Sequence, residues 1–285
     1  MPVDVIIPVF NNYELTKNCL NSVMRHTAPE NRLIIVDDNS SDRAVLALER
    51  EFAGREANIT VINKKKNEGF LPAANLGMRQ SANDVILLNN DTIVTPGWLA
   101  KMQVAAYRAE NIASVSAMSN NSTITSMPKY FRPNAVPGFF TLDEMAAFVE
   151  KNSLRLYPEL PTAMGFCLYI RRAALNEVGY YDEIYGRGYG EENDWSLRAR
   201  AKGWKHLMDD TTYIWHQGRG TAGAQKRREL LARNEKILFS RYPGYPQEIK
   251  NYIVRKVNYA VNKNLQKALR GHRLDLFRKK LSSLF

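Results

Sequence analysis

Three short stretches of this chain set chemically able side chains where the backbone would hold them still. The first is VILLNNDTIV, Val85 to Val94, in which apolar residues lead the chain to Asn89, Asn90 and one carboxylate, Asp91. A carboxylate on a rigid strand end suits a hard divalent cation such as Mg2+ or Mn2+, which takes one or two such groups and completes its shell with phosphates and water. The second is GEENDW, which gathers Glu191, Glu192 and Asp194 at a helix start. Acids this close raise one another's pKa, the helix N-terminus offsets part of the repulsion, and a carboxylate moved toward working pH can act as a general base. The third is TYIWHQGRGT, where His216 leaves a short strand and the glycines after it let backbone amides approach an anion. Taken singly, these are also an Asn-Asp turn, a helix-capping cluster and an ordinary polar histidine.

The elements that would position them alternate. Val3–Val9, 33–36, 59–62 and 85–88 read as strands, with helical patterns at Tyr13 to His26, after the Ser41–Asp42 cap, around 73–80 and from Pro96 through Trp98, Leu99 and Met102. Alternation of this kind predicts an α/β domain, a Rossmann-like and mostly parallel sheet with helices on both faces, whose ligands bind at the carboxyl ends of the strands. Four consecutive strand ends are polar there: Pro8-Val9-Phe10-Asn11-Asn12, Asp37-Asp38-Asn39-Ser40, Asn67-Glu68-Gly69-Phe70 and Asn89-Asn90-Asp91. Residues 119–140 read as a long functional loop, 163–170 as a strand, Glu191 to Lys202 as a helix and Tyr213–Trp215 as a short strand ending at His216. Three glycines in GRGYG, Gly186 to Gly190, suggest a mobile segment that closes over a substrate.

The 285 residues divide by charge. From Lys226 on, 16 Lys and Arg face 4 Asp and Glu, whereas the first 225 residues carry 24 against 25. The basic character belongs to the tail, which argues against nucleic acid as a partner of the body. No apolar run reaches the ~20 residues of a membrane span, and the N-terminus lacks the features of a signal peptide. Cys19 and Cys167 read as reduced core residues of a cytoplasmic protein.

The segments IIPVFNN, VDDNSSD, NEGFLPAANLG, LLNNDTIV, GFCLYIRRAALNEVGYYDE, GEENDWSLRARAKGW and HQGRGT, in this order over residues 3 to 221, resemble family 2 glycosyltransferases of the GT-A fold. The resemblance implies inverting transfer of a hexosyl or N-acetylhexosaminyl group from a UDP- or dTDP-linked donor to an acceptor hydroxyl on a glycan, lipid-linked or protein acceptor, in bacterial polysaccharide, glycolipid or glycoprotein assembly. It implies Mn2+ or Mg2+ held by Asp91, the last member of a D-x-D motif whose first member here is Asn89, and by His216, with Arg219 adding charge at the diphosphate. It puts the general base on Glu192, where Asp is more usual; Glu191 and Asp194 stay open as alternatives. Gly165, Glu191, Asp194 and Trp195 fall at the sugar and acceptor. Asp38 is expected to accept the imide N–H of uracil or thymine, with Pro8, Val9, Phe10, Asn11, Asn67, Gly69, Asn75, Asn89 and Asn90 around the nucleotide.

The catalytic domain is expected over 1–225, its nucleotide half over 1–118 and its acceptor half over 119–225, with a basic amphipathic helical tail over 226–285. In the tail Ile249, Tyr252, Ile253, Val257, Ala260, Val261, Leu265 and Leu269 recur at helical spacing up to a stop at Gly271, and the pattern returns at Leu274, Phe277, Leu281 and Leu284. Such a stripe either lies on the inner face of the cell membrane or packs on the domain or a sister subunit. Two rival functions stand beside the transferase. One is a non-catalytic nucleotide-sugar binder, suggested by Asn89 and by Glu at 192. The other is a sugar nucleotidyltransferase, which would want a glycine-rich basic turn after the first strand where PVFNNYE stands.

Overall fold

β1 (Val3–Val9) is buried at all seven positions, as a strand covered on both faces must be, and it lies between β2 (Arg32–Asp37) and β4 (Asp84–Leu88). Both pairings are parallel, and β3 (Ile59–Asn63) adds a third parallel neighbour beyond β2. The computed structural model describes residues 1–218, 224–255 and 257–282. Across the described residues the strand order is β3-β2-β1-β4, then β8 (Cys167–Ile170), β6 (Ile112–Ser119), β9 (Lys205–His216) and β5 (Thr92–Ile93), with β7 (Glu159–Leu160) beside β9. α1 (Tyr13–His26), α2 (Arg43–Arg55), α3 (Phe70–Arg79) and α4 (Trp98–Ala106) follow the strand ends, and Asp42 caps α2 through the Ala44 amide at 2.9 Å. Two apolar clusters result, one on each face of the sheet.

The second half of the sheet is mixed rather than parallel. β8 (Cys167–Ile170) runs antiparallel to both β4 and β6 (Ile112–Ser119), while β6 and β9 (Lys205–His216) are parallel. β8 is shorter than the expected strand over 163–170. β6 is a fully buried strand whose alternating Ser and apolar residues gave no strand signal. β9 is far longer than Tyr213–Trp215, because Asp209, Asp210, Thr211 and Thr212 lie buried inside it. Its register against β6 jumps from Asp209 to Tyr213. The extra residues are stabilised by their own side chains: the Asp209 carboxylate accepts from the Thr211 amide and from the Thr211 and Thr212 hydroxyls, and Asp210 accepts from Ser153, Leu156 and Tyr157. A bulge bends a strand and redirects the residues beyond it. Here it carries β9 onward to pair with β5 (Thr92–Ile93).

Residues 120–140 form a long loop, pinned by Asn134, whose amide donates to the Asn120, Lys129 and Arg132 carbonyls. α5 (Leu142–Asn152), α6 (Arg172–Val178) and α7 (Glu191–Ala201) complete the body. The tail forms α8 (Ala224–Arg241), α9 (Tyr245–Arg255) and α10 (Tyr259–Ser282). Leu238 and Tyr245 are buried in one core cluster, and Val261 and Leu265 in a third one built on α5 and the long loop. The apolar stripe thus packs in part on the catalytic body. α10 runs through Gly271 without stopping: one glycine inside a helix costs about 1 kcal/mol, which neighbouring helix formers offset. Leu284 lies outside the described residues, and the side chains of Phe277 and Leu281 do as well. Both cysteines are free and buried. No helix among the described residues is long and apolar enough to cross a membrane.

Candidate active site

The β5–β9 pairing sets Thr92 opposite His216, so the residue before β5, Asp91, meets the last residue of β9. His216 Nε2 lies 3.3 Å from Asp91 Oδ1. The other ring nitrogen, Nδ1, is 2.6 Å from the Asn121 carbonyl oxygen and must carry the proton to donate there, so the Nε2 lone pair is left facing the carboxylate. Phe166 stacks on the imidazole at 5.0 Å. Asp91 Oδ2 accepts the Gly218 amide at 3.1 Å; Gly218 has φ +70 and leaves no room for a side chain, since a Cβ would fall 2.0 Å from Asn121 Nδ2. Two lone-pair donors from opposite strands thus face one point. Among the described residues no third His, Cys, Asp or Glu joins them. That open set fits Mg2+ or Mn2+, which fill their remaining positions with phosphate oxygens and water.

The three acids at the start of α7 have different fates. Asp194 is fully buried, and its carboxylate accepts from Arg198 Nε at 2.8 Å, Arg241 Nη1 at 3.0 Å, Tyr242 at 3.1 Å and Tyr185 at 3.2 Å. Its lone pairs are spent on structure, which removes it as an alternative base and as a sugar ligand. Trp195 is also fully buried and donates from Nε1 to the Gly179 carbonyl, so it is core and not an acceptor platform. Glu191 and Glu192 each keep a buried oxygen, Oε2, with no partner. Burial pushes both carboxyls up from the ordinary range, and for Glu191 the neighbouring Glu192 charge adds to it. Gly165 faces Glu192: a Cβ there would sit 3.7 Å from the carboxyl carbon. Of the two, Glu192 is the more open, Glu191 being 5 % exposed.

At the nucleotide end, Asp38 sits beyond β2 with both oxygens occupied. Oδ1 takes Lys64 Nζ at 2.5 Å and the Glu68 amide at 3.0 Å; Oδ2 takes Asn67 Nδ2 at 3.0 Å and the Gly69 amide at 2.6 Å. The carboxylate therefore folds the Lys64–Gly69 turn. Asn67 is fully engaged too, its carbonyl and side-chain oxygen both receiving Arg187. Asn75 is completely buried and exchanges two hydrogen bonds with the Tyr181 backbone, so the helix face expected to meet the nucleoside holds the acceptor half instead. Pro8 and Val9 are inside β1, the Val9 carbonyl being used by the Asp38 amide. Asn11 ties its side chain to the Ser41 and Asp42 amides, and Asn90 bonds Thr16. Phe10 and the Asn89 side chain, both half-buried, have no hydrogen-bond partner of their own among the described residues.

A closed path of contacts joins these groups into one rim. Asp38 grips Asn67, Asn67 receives Arg187, and a Cβ on Gly69 would strike Arg187 at 2.7 Å. Arg187 is followed by Gly188, which lies against Glu191; Gly165 lies against Glu192, and next to it Phe166 stacks on His216 and accepts the Asn89 amide at 2.9 Å. Tyr189 follows Gly188 on this path; burial raises its hydroxyl, the Arg227 charge offsets part of this, and the charges of Glu191, Glu192 and Asp91 add to it. Arg187, Tyr189, Phe166 and Asn121 are the rim residues that sequence reasoning passed over. GRGYG did mark the right segment, but as mobile. Arg219 lies outside the described residues.

Comparison with known proteins agrees with this architecture. Over 101 residues the chain is 31% identical to glycosyltransferase AglE of Haloferax volcanii, a match covering 35% of this chain and 33% of that protein, so it spans a third of that relative's length. Its fold is similar to GalNAc-T7, crystallised with UDP, GalNAc and Mn2+ (TM-score 0.64, 15% identity, 90% of this chain and 58% of that one). It is also similar to the mannosyltransferase PcManGT of Pyrobaculum calidifontis, crystallised with GDP-Man and Mn2+ (TM-score 0.62, 15% identity, 99% of this chain and 80% of that one). At this identity the likeness is one of fold, a mixed α/β sheet of the GT-A kind. The family profile described as Glycosyl transferase family 2 matches residues 4–179, and the chain belongs to that family.

Proposed function

We propose that the protein is an inverting, metal-dependent glycosyltransferase that moves a hexosyl or N-acetylhexosaminyl group from a UDP- or dTDP-linked donor to an acceptor hydroxyl during glycan assembly. The observation that carries this reading is the sorting of acids along the rim. Asp38 and Asp194 have no lone pair to spare, whereas Glu192 keeps a buried, unpartnered oxygen beside Gly165 on the rim that holds the Asp91–His216 pair.

Glu192, ionised, takes the proton of the acceptor hydroxyl; the freed oxygen bonds the anomeric carbon, and the bond to the diphosphate breaks with its electron pair leaving on the nucleotide. Asp91 and His216 would hold Mn2+ or Mg2+, which when bound supplies charge neutralisation for the departing diphosphate. Burial holds Glu192 above the ordinary carboxylate range, and Glu191, raised further still, keeps its proton beside it. Reading a uracil or thymine imide at Asp38 requires one of its four chain donors to give way.

A panel of nucleotide-sugars assayed for hydrolysis with Mn2+ and again with EDTA tests the proposal. Release of free sugar from a UDP- or dTDP-linked donor, lost with EDTA, is expected; no turnover of any donor sinks it. The second reading, a nucleotide-sugar binder, is favoured by Asn89 in place of an acid and by Glu at 192. It predicts heat on titrating UDP with Mn2+ and no sugar release.

The α9–α10 elbow bears on where the acceptor lies. Ile253, Val254, Val257 and Tyr259 are exposed there, among Lys250, Arg255, Lys263 and Lys267. This patch, more than the packed stripe, suits peripheral contact with an anionic membrane carrying a lipid-linked acceptor. Flotation with phosphatidylglycerol vesicles and not with phosphatidylcholine vesicles is the expected outcome.

A further inference from the structure

We infer that Asn234, on a tail helix outside the family match, is a positioning residue for the catalytic base, acting through the Tyr185–Gly190 segment; the inference rests on the glycosyltransferase reading. The segment has unusual backbone. Gly186, Gly188, Tyr189 and Gly190 all have positive φ (+63, +122, +75 and +95). Non-glycine residues reach this region only at a cost, so Tyr189 must be held there by its surroundings. Backbone turned this way cannot bond to itself as a helix does. Its carbonyls need donors from elsewhere.

Asn234 provides them. It is 1 % exposed, and its Nδ2 donates to the carbonyls of Tyr185 at 2.9 Å, Gly188 at 2.8 Å and Tyr189 at 2.8 Å. The neighbouring Arg233 adds a bond to the Ile184 carbonyl. A neutral amide brings two N–H donors to three converging carbonyls, one donor being shared, without burying a charge.

The pinned segment points two ways. Its end, Gly190, is the N-cap of α7 and starts the turn that carries Glu191 and Glu192. Its middle, Arg187, receives the Phe70 amide on its carbonyl and lays its guanidinium on Asn67 in the nucleotide turn. One buried amide thus sets the distance between the base and the donor's nucleotide end. GRGYG is a preset strut rather than a free lid, and α8, which lies beyond residues 4–179, is part of the site.

The test uses the full chain with Asn234→Asp, which puts acceptor oxygens against the three carbonyls, and Asn234→Ala, which leaves space for water should the first variant fold poorly. Two readouts are followed. Native-state trypsin, with products mapped by mass, reports opening at the Arg187–Gly188 bond, and cleavage there is expected about tenfold faster than in the unsubstituted protein while other sites keep their rates. The pH profile of kcat/KM for nucleotide-sugar hydrolysis reports on Glu192, and its acid limb is expected to move toward the ordinary carboxylate range as water reaches the helix start. Wild-type protection at Arg187 in both variants, or acceleration only in step with every other tryptic site, overturns the inference; so does a faster cut at Arg187 with an unmoved acid limb. If the unsubstituted protein hydrolyses no donor, the glycosyltransferase reading falls, and the tryptic result still decides whether Asn234 holds the strut.

Discussion

His216 Nε2 and Asp91 Oδ1 lie 3.3 Å apart on antiparallel strands, and the imidazole is oriented by its bond to the Asn121 carbonyl at 2.6 Å. A histidine whose second nitrogen is fixed in this way presents its free lone pair at constant angle, which raises affinity for a cation. His216→Ala and Asp91→Ala should each weaken Mn2+ binding in the presence of UDP by at least about tenfold. Calorimetric titration of Mn2+ into protein saturated with UDP measures this. Unchanged affinity in both variants would show that the pair holds no metal.

Glu192 and Asp194 sit two residues apart and should respond oppositely. Glu192→Gln removes the proton acceptor and should lower transfer by about 10²- to 10⁴-fold, leaving UDP binding intact. Thermal stability should hold or rise, since burial already disfavours the Glu192 charge. Asp194→Asn strips Arg198 and Arg241 of their buried acceptor and should cost about 2 to 3 kcal/mol of stability. Melting curves beside turnover rates separate the two; a catalytic loss in Asp194→Asn at full stability would reopen its candidacy as base.

The pH dependence has its origin in the adjacent glutamates. Burial holds Glu191 and Glu192 above the ordinary carboxylate range, and at Glu191 the Glu192 charge adds to it. A general base works ionised, so kcat/KM should climb with pH along a limb displaced upward from where an exposed glutamate titrates. Glu191 is raised further and keeps its proton while Glu192 titrates, so Glu191→Gln, which leaves a neutral group in its place, should keep that limb nearly where it is. A limb at the ordinary glutamate position in the wild type, or one that Glu191→Gln moves down to it, contradicts the assignment.

How much of this was legible from residues alone differs between fold and site. Periodicity found β1 to β4 because each is a local apolar run, and the polar strand ends beyond them do converge on one rim. β6 was invisible because its serines break the apolar pattern while buried, Ser116 meeting the Met164 amide and Ser114 meeting His206. Most of β9 was hidden because Thr211 and Thr212 satisfy Asp209 inside it and the remote Ser153, Leu156 and Tyr157 satisfy Asp210. At the site, residue type and order named candidate acids but could not say which were already spent. That is decided by remote partners: Arg241 and Tyr242 for Asp194, Lys64 for Asp38, Tyr181 for Asn75. Asn234 gave no signal in the sequence, since a helical asparagine acquires meaning only from the carbonyls it meets.

A carboxyl remote from the catalytic pair offers a check on the packing of the nucleotide half. Glu49 on α2 is 1 % exposed, neither oxygen has a partner, and burial, with the Asp37 charge behind it, pushes its pKa up to about 8. Asp37 itself accepts the Ser40 amide at 3.0 Å. Glu49 is therefore a neutral acid at pH 7 in the folded chain, whereas the unfolded chain ionises it from 4.5 upward. The folded state holds the extra proton, so the contribution to stability is complete below pH 4.5 and is lost as pH rises through about 8. Glu49→Gln keeps a neutral group of the same shape at every pH. The melting temperature of the variant should match wild type near pH 5 and exceed it increasingly at pH 7 and pH 9. Parallel melting curves across that range would mean that the Glu49 carboxyl reaches water and that α2 packs less tightly on β3 than the structure has it.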